Sequence, residues 1–335
     1  MHRSLVALLL VACSRPSPPP ASPPVADSAP HAVAAVPVDA APDAFFTPSC
    51  VDDGKPYDEQ ALRARLAHLA SPELDGRAPG TDGDRAARAF IAERFRCLGL
   101  TPAGDDGFAQ PLTANGAATA NLVGYVPGTS STDIIVVGAH HDHVGDKHLG
   151  ANDNASGVVA LLAVAQAVRQ HGPARRAIAF VAFGGEEGGL LGSLHFVAHP
   201  PAALPLERVV QYINLDMVGS HKAQHGVAAF GAFPGFASTK HLVANQRKYP
   251  RTNVWLGGHS VRGDQVGFCK QRIPYVFFWT PDDRCYHETC DTADRIDYPR
   301  MVDIAALAGD LVLGLADDTA DLAAARARTG CGRSM

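Results

Sequence analysis

The chain has 335 residues, of which 46 % are hydrophobic and 19 % are charged, and its formal net charge is −5 at pH 7. This length and composition exclude a disulfide-stabilised miniprotein, a repeat array and a membrane bundle. The small negative charge gives no electrostatic reason to expect a nucleic-acid partner. The chain also carries 15 histidines, and imidazoles can bind metal ions and transfer protons near neutral pH.

The first residues are similar to an export signal. Residues 5–12 form an apolar run that is too short to span a bilayer but is typical of the core of a secretory signal. The run ends at Cys13 in a pattern that resembles a bacterial lipobox, which predicts a signal peptide at 1–12 and a lipid anchor on Cys13. An ordinary signal peptide followed by a chance cysteine is the alternative.

A segment rich in proline, alanine and serine follows the cysteine. Residues 13–44 cannot bury enough apolar surface to fold, so we expect an extended tether there. Residues 45–335 are expected to form a single folded domain around one hydrophobic core. Together these segments predict an exported, monomeric lipoprotein that faces the periplasm or the cell surface and touches the membrane only through its lipid.

Six cysteines remain after Cys13, and an even number of cysteines in an exported protein favours disulfide bonds. They are Cys50, Cys97, Cys269, Cys285, Cys290 and Cys331. The spacing of Cys285 and Cys290 would also suit a zinc ribbon, but the sequence offers no second pair at ribbon spacing. Disulfides are therefore the preferred interpretation, and their pairing stays open.

Apolar patterns predict alternating helices and strands after residue 57. In chain order we expect helices at 58–70 and 84–98, strands at 121–126 and 133–139, a helix at 157–170, a strand at 177–183, a helix at 189–198, strands at 209–215 and 273–279, and a closing helix at 301–315. Several strands are continuous apolar runs, as in strands buried on both faces. The alternation predicts an α/β fold with three αβα layers and a mixed, largely parallel central sheet.

Polar residues follow the predicted buried strands directly, and α/β folds place their sites beyond the strand ends. His140 and Asp142 come after the strand at 133–139, and on an extended backbone they face the same side. Asp142 is therefore placed to orient the imidazole. The alternative register pairs His141 with His143.

A second cluster, the paired Glu186 and Glu187, follows the strand at 177–183 and is flanked by glycines. Adjacent, partly buried carboxylates repel unless one neutralises a cation and the other takes a proton. Asp216 ends another apolar strand, and His287 follows the last one. Imidazoles and carboxylates without thiolates suit zinc, with manganese or cobalt as substitutes. Five such ligands are more than one catalytic zinc ion binds, but they are enough for two zinc ions that share a carboxylate.

The order of five motifs in the chain resembles that of a known family. They are HHDH from His140, GANDNASG from Gly150, FGGEEGGLLGS from Phe183, NLDMVG from Asn214 and YHETCDT from Tyr286. This succession resembles the co-catalytic di-zinc aminopeptidases of peptidase clan MH, which include bacterial secreted leucyl aminopeptidases and glutamate carboxypeptidase II. The resemblance covers roughly residues 60 to 315 and implies the zinc-exopeptidase fold.

The resemblance implies a ligand set for two zinc ions. His140 and Asp216 would be private ligands of one zinc, and Glu187 and His287 would be private ligands of the other. Asp153 would bridge the two ions. The family also implies a cis peptide bond after Asp153.

Roles in catalysis are implied in the same way. Glu186 resembles the general base, Asp142 the residue that orients His140, and Tyr286 a phenol that donates to the tetrahedral intermediate. The implied function is a zinc-dependent aminopeptidase that removes N-terminal residues from peptides with a free N-terminus, using a water held between the metals and activated by Glu186. Residues 45–335 would then be the catalytic domain.

Three rival functions stay open. A single-zinc glutaminyl cyclase would need fewer ligands than the sequence offers, a carboxypeptidase would need cationic groups that sequence cannot locate, and a non-catalytic lipoprotein predicts loss of the ligand set. The expected pocket loop also departs from the family, since this chain has Arg262-Gly263-Asp264-Gln265 where many bacterial members have Arg-Ser-Asp-His. The preferred N-terminal residue is therefore left open.

Overall fold

The structure, a computed structural model, describes residues 54–220, 226–281 and 284–331. The expected signal peptide, the lipidated Cys13, the tether and Cys50 lie outside the described residues and remain predictions. None of the helices within the described ranges is long and apolar enough to cross a membrane.

Within the described residues, nine strands form one mixed sheet. The strands are β1 (Thr101–Pro102), β2 (Ala109–Ala114), β3 (Ala117–Val126), β4 (Ile134–His140), β5 (Ala177–Phe183), β6 (Val209–Leu215), β7 (Ala228–Phe230), β8 (Trp255–Gly257) and β9 (Tyr275–Trp279). The order across the sheet is β1-β3-β5-β4-β6-β9-β7-β8, with β2 paired to β3. The four central strands are parallel, while β3 and β7 join them antiparallel.

Helices cover both faces of this sheet. They are α1 (Glu59–Leu69), α2 (Asp82–Cys97), α3 (Gly157–His171), α4 (Leu191–Ala198), α5 (Ala237–Asn245), α6 (Gln265–Lys270) and α7 (Tyr298–Asp317). Residues of α1, α2, α3, α5 and α7 belong to the larger of two hydrophobic clusters, and residues of α4 and α6 belong to the smaller one.

Strand β4 shows why the two clusters lie on opposite faces of the sheet. Its residues Ile135 and Val137 belong to the larger cluster, whereas Ile134 and Val136 belong to the smaller one. Since successive side chains of a strand point to opposite faces, every residue of β4 is buried by one helical layer or the other. The expected three-layer α/β fold is confirmed.

Each helix and strand expected from the sequence is present, with ends that differ by a few residues. The main differences are that β3 begins at Ala117, that α4 begins at Leu191 and that α7 begins at Tyr298 and runs to Asp317. The strands β1, β2, β7 and β8 and the helices α5 and α6 were not expected. Strand β2 contains Pro111. Proline argues against predicting a strand from sequence, but it is tolerated in an edge strand such as β2, which pairs only with β3.

Two disulfides lie within the described residues, as the even number of cysteines led us to expect. They join Cys269 to Cys331 and Cys285 to Cys290, and Cys97 is disulfide-bonded as well. The Cys285–Cys290 bond closes a small loop that contains Tyr286 and His287.

The register of the central strands determines where the polar residues meet. His140 is the partner of Phe183 across β4 and β5, and Leu215 is the partner of Phe278 across β6 and β9. Because these strands are parallel, the residues that follow them emerge at the same edge of the sheet. The polar residues expected to form a site therefore start from adjacent positions.

Candidate functional site: a two-centre carboxylate and histidine cluster

The first group of side chains consists of His140, Asp153 and Asp216. His140 is the last residue of β4, and its Nε2 lies 3.3 Å from Asp153 Oδ1 and 3.3 Å from Asp216 Oδ1. All three side chains are buried, and their ligand atoms lie close enough together to surround one metal ion.

A second group shares Asp153 with the first. His287 Nε2 lies 3.1 Å from Asp153 Oδ2 and 2.9 Å from Glu187 Oε2. Asp153 therefore turns Oδ1 toward the first group and Oδ2 toward the second, the arrangement expected of a bridging carboxylate. The five expected ligands lie together in the described chain, in two groups that share Asp153, and His143 lies beside the second group. Their role as metal ligands stays a prediction.

The Nε2 atom of His287 provides a test of whether these residues fit a metal ion. Although two carboxylate oxygens lie within 3.1 Å, this atom makes no hydrogen bond with any described residue. The His287 Nε2 atom therefore lies beside one oxygen of each carboxylate, as ligand atoms around a common cation do. Imidazole and carboxylate donors without a thiolate are a donor set that suits zinc. The residues present fit a pair of divalent cations.

The segment that carries Asp153 is held against the end of β6 by the two asparagines that flank it. Asn154 donates from Nδ2 to the carbonyl oxygen of Leu215 and accepts from the Met217 N–H, while Asn152 Oδ1 accepts from the Gly219 N–H. The Asp153–Asn154 peptide bond is cis, as the resemblance implied. The GANDNASG motif therefore aligns Asp153 with Asp216, and it also leads into α3.

Gly185 allows the chain to turn from β5 to the paired glutamates. Its φ of +81° lies in the left-handed region, and a Cβ there would lie 2.7 Å from Ala114 Cβ. Glycine therefore meets both the conformational and the steric demand at this turn.

Asp142 fixes the paired glutamates through their main chain. Its Oδ1 accepts from the Glu186 N–H at 3.0 Å and its Oδ2 accepts from the Glu187 N–H at 3.2 Å. His140 Nδ1 lies 3.2 Å from the main-chain oxygen of Asp142 but 3.9 Å from its carboxylate. The imidazole is thus held by the carbonyl group, and the carboxylate expected to orient it holds the turn after β5 instead.

The other two histidines of the HHDH motif face different partners. His141 Nε2 lies 3.2 Å from Asp84 Oδ1, on the side of α2. His143 Nδ1 lies 2.8 Å from Glu187 Oε1, so this ring belongs to the second group. The alternative register, in which His141 and His143 act as a pair, is not what the structure shows.

A model of the family described as peptidase family M28 matches residues 121–312 of the chain. The chain belongs to this family. Leupeptin-inactivating enzyme 1 from Streptomyces exfoliatus is 32 % identical to it over 292 residues, which cover 82 % of this chain and 62 % of that relative. The chain therefore spans less than two thirds of the length of this relative.

Solved structures with this fold include a zinc aminopeptidase from Bacillus subtilis, with a TM-score of 0.67 and 18 % identity over 80 % of this chain and 97 % of that one. A glutaminyl cyclase from Bacteroides thetaiotaomicron, bound to N-acetylhistamine, has a TM-score of 0.63 and 22 % identity over 79 % and 99 % of the two chains. At these identities the two structures show a common fold.

A cavity of about 340 Å³ opens beside the two groups. His140, Asp153, Glu186 and Asp216 line one side of it. Apolar side chains line another part, namely Met217, Phe230, Phe277 and Trp279. The rest of the lining consists of the exposed Arg262, the half-exposed Tyr286, Ser260 and Gly263.

Burial sets the protonation of two groups in this cavity. It raises the pKa of Glu186 to about 9, a rise that His140 opposes and Asp264 increases. Burial also raises the pKa of Tyr286 to about 12, and the charges of Asp153 and Glu187 add to the shift. The Tyr286 ring stacks on His287 with 3.9 Å between the ring centroids. Its phenol therefore stays protonated at any physiological pH, beside the second group.

Sequence analysis assigned no role to Asp291 or Arg77, although both hold the site in place. Asp291 accepts from the N–H groups of Asn152 at 2.8 Å and Asp153 at 2.9 Å. Arg77 is fully buried and donates to main-chain oxygens near the site, including that of Gly150. Asp291 lies within the YHETCDT motif, so its motif was visible but its partners, about 140 residues earlier in the chain, were not.

Proposed function

We propose that this protein is a zinc-dependent aminopeptidase with two metal ions in one site. The observation that supports this most strongly is the shared Asp153, whose two oxygens face His140 and His287. Glu186 lines the cavity next to both groups, and neither group includes it as a metal ligand. This arrangement matches a hydrolytic centre in which one carboxylate bridges two ions and another moves protons.

Each of the two ions would have one histidine and one carboxylate of its own and would share a further carboxylate. His140 and Asp216 would bind one, Glu187 and His287 would bind the other, and Asp153 would contact both. Zinc is the metal that this donor set favours, with manganese or cobalt as substitutes. When bound, such a pair supplies Lewis acidity that makes water nucleophilic near neutral pH and polarises a carbonyl group.

Glu186 is proposed to accept the proton of the attacking water and to pass it to the leaving amine. Its buried position and raised pKa give it a high affinity for that proton, and the nearby cations would bring its pKa down toward neutrality. Asp142 keeps the Glu186 main chain fixed. Tyr286 remains protonated and can donate a hydrogen bond from its phenol O–H to negative charge that develops on the scissile carbonyl oxygen.

The proposed substrates are peptides with a free N-terminus. An α-ammonium group is complementary to the carboxylates at the bottom of the cavity, and an apolar first side chain fits the wall formed by Met217, Phe230, Phe277 and Trp279. A carboxypeptidase is less well supported, because the cation among the described cavity residues, Arg262, is exposed.

A glutaminyl cyclase is the second candidate, since one such enzyme shares the fold. The presence of a second ligand group around Glu187 and His287, separate from His140 and Asp216, favours the two-metal peptidase. Metal analysis of the purified protein distinguishes the two: we expect two zinc ions per chain for the peptidase and one for the cyclase.

The direct test is a substrate panel with zinc added back to the full chain. Leucine and phenylalanine amides should be hydrolysed, and their N-acetylated forms should not be, because acetylation removes the ammonium group. Cleavage of blocked peptides from the C-terminus would support the carboxypeptidase, and cyclisation of N-terminal glutamine without hydrolysis would support the cyclase. Absence of all three activities from the metal-loaded protein would leave the non-catalytic lipoprotein.

We also propose that the protein is exported, anchored through Cys13 and monomeric. The disulfides among the described residues support export, because such bonds persist in oxidising compartments. Expression in a bacterium with labelled palmitate tests the anchor. Wild type should take up the label and remain with membranes, and Cys13→Ser should do neither. Size measurement of a soluble form lacking residues 1–13 tests the monomer.

A further inference from the structure

His143 is a buried side chain in direct contact with the second ligand group, and neither the sequence analysis nor the proposed function gives it a role. Its side chain is fully buried, and its Nδ1 lies 2.8 Å from Glu187 Oε1. A carboxylate only accepts hydrogen bonds, so the imidazole is the donor. His143 Nε2 is buried without a hydrogen-bond partner in the described chain.

The two oxygens of Glu187 therefore have different partners. Oε1 faces His143 at 2.8 Å, and Oε2 faces His287 at 2.9 Å. The contact with His143 occupies Oε1 and leaves Oε2 on the side of Asp153 and His287.

The His143 ring has little freedom to leave this position. A Cβ on Gly150 would lie 2.6 Å from His143 Cγ, so the ring packs directly against the glycine backbone. On another side it meets the edge of His287, with ring centroids 5.5 Å apart. Arg77 in turn holds the carbonyl oxygens of His141 and Gly150, on the segments that carry the ring and its packing surface.

We propose that His143 is a positioning residue that limits Glu187 to a single ligating oxygen, Oε2, and so sets the affinity of the second metal ion. The inference rests on the proposed two-metal site. Without His143, Glu187 can rotate or offer both oxygens, and the second group must be ordered when the metal arrives. With His143, the carboxylate is already placed. In the first group only the shared Asp153 lies near His143, at 3.9 Å, so we expect the effect to fall on the second of the two ions.

Direct ligation by His143 is the competing role, since its ring also lies near Asp153. Two distances argue against it. Nδ1 points at Glu187 Oε1 with hydrogen-bond geometry, and it lies 3.9 Å from Asp153 Oδ2. His287 Nε2, by contrast, lies close to oxygens of both carboxylates and hydrogen-bonds neither within the described chain. His287 therefore has the geometry of a ligand, and His143 has that of a hydrogen-bond donor.

Two substitutions separate positioning from ligation. His143→Leu removes the donor and keeps a similar volume, whereas His143→Asn keeps an N–H donor near the place of Nδ1 but is a poor metal ligand. Stepwise zinc binding to the metal-stripped full chain is measured by calorimetry, with cobalt absorption spectra as a second readout. We expect His143→Leu to weaken the second binding step about 10- to 100-fold, with the first step little changed. His143→Asn should bind both ions nearly as wild type does and keep the wild-type cobalt spectrum.

His141→Asn is the matched control, because it alters a neighbouring buried imidazole that faces Asp84 instead of the metal groups. It should change thermal stability without changing either binding step. Equal second-step affinity in wild type and His143→Leu would overturn the proposal. So would a second step in His143→Asn as weak as in His143→Leu, which would assign His143 as a ligand. A wild-type chain that binds only one zinc would instead overturn the two-metal site itself.

Discussion

Arg77 donates from Nε to the carbonyl oxygen of His141 at 2.8 Å, joining residues that are 64 positions apart in the chain. Its other two nitrogens donate to the carbonyl oxygens of Leu69, Leu149 and Gly150. Burial lowers the pKa of Arg77 to about 10, although Asp291 and Asp142 oppose the shift, so it remains a cation at neutral pH. One buried guanidinium therefore holds together the segments that carry His140 and Asp153.

Arg77→Lys is expected to destabilise the protein, because one ammonium group cannot reach four carbonyl oxygens placed around a planar fork. Each buried carbonyl left without a donor costs about 1–3 kcal/mol, so the free energy of unfolding should fall by roughly 3 kcal/mol or more. Chemical denaturation of the metal-free chain measures this. Arg96→Met, at a position with 62 % of its side chain exposed, is the control and should change little. Wild-type stability in Arg77→Lys would contradict the structural role.

Glu186→Gln should keep both metal ions and lose most peptide hydrolysis. The amide occupies the same space but cannot accept the proton, and the loss of a general base typically lowers the rate by about 10²- to 10⁴-fold. Zinc content and kcat on a leucine amide are the two measurements. Glu207→Gln, at an exposed position just before the start of β6, is the control. Near-normal turnover in Glu186→Gln would remove this residue from the proposed mechanism.

His287→Ala should lose one of two zinc ions, because the second group would retain Glu187, the shared Asp153 and His143, whose Nδ1 is already hydrogen-bonded to Glu187. Elemental analysis after dialysis against buffered zinc gives the stoichiometry. His171→Ala, which removes an exposed imidazole near Asp317, should leave two ions bound. Unchanged zinc content in His287→Ala would show that this histidine is not a ligand.

Tyr286→Phe tests the phenol without disturbing the stack on His287. We expect kcat to fall by about 10²-fold, in the range seen when a single donor to a developing oxyanion is removed, with little change in KM. Burial is the largest cause of the raised pKa of the wild-type phenol, and it does not depend on the charges of Asp153 and Glu187 that bound cations would offset. Ionisation of the phenol should therefore be absent from the pH–rate profile between pH 6 and about 9. An equal kcat in wild type and variant would argue that Tyr286 only packs against the ligand.

Asp84 gives a pH dependence of stability that is independent of the metal ligands. Burial raises the pKa of Asp84, but the hydrogen bond and charge of His141, together with Arg88, lower it more, so it lies below its ordinary value of 3.8. A depressed folded-state pKa contributes stability above pH 3.8 that is lost as the pH falls through the folded-state pKa.

The Asp84→Asn variant should therefore be less stable than wild type at neutral pH, and the difference should shrink as the pH falls below about 4. Thermal unfolding of the metal-free chain from pH 7 to pH 3 measures it. Asp82→Asn, in the same helix with 96 % of its side chain exposed, should follow wild type. A constant difference between Asp84→Asn and wild type at every pH would contradict the assigned ionisation.

The sequence predicted the central strands and long helices because their apolar patterns are continuous and their ends are marked by glycine, proline or polar residues. Strands β7 and β8 have three residues each, and a pattern that short has no readable period. Helix α6 has six residues, which is too short for a helical period to be recognised in the sequence. The fold was therefore readable where burial is extensive and unreadable at the edge of the sheet.

The candidate site, like the fold, has features that the sequence could predict and features that it could not. The convergence of the expected ligands could be anticipated because each follows a buried strand or a motif of known order. The partner of the Asp142 carboxylate could not be, since the choice between an imidazole and two main-chain N–H groups depends on the path of the turn after β5. The contacts of Arg77 and His143 also depend on the conformation of loops, which the spacing of apolar residues does not predict.

The bond between Cys285 and Cys290 has a consequence for when the site can assemble. The chain leaves the ribosome with free thiols, so the short ring that carries His287 and Tyr286 does not yet exist. Ring closure requires an oxidant, whereas the partners of His287 on Asp153 and Glu187 require only folding. Maturation thus has two separate requirements. The two thiols must be oxidised to the disulfide, and the metal ions must bind. Under reducing conditions, the chain would carry His287 of the second group on a segment that no disulfide closes.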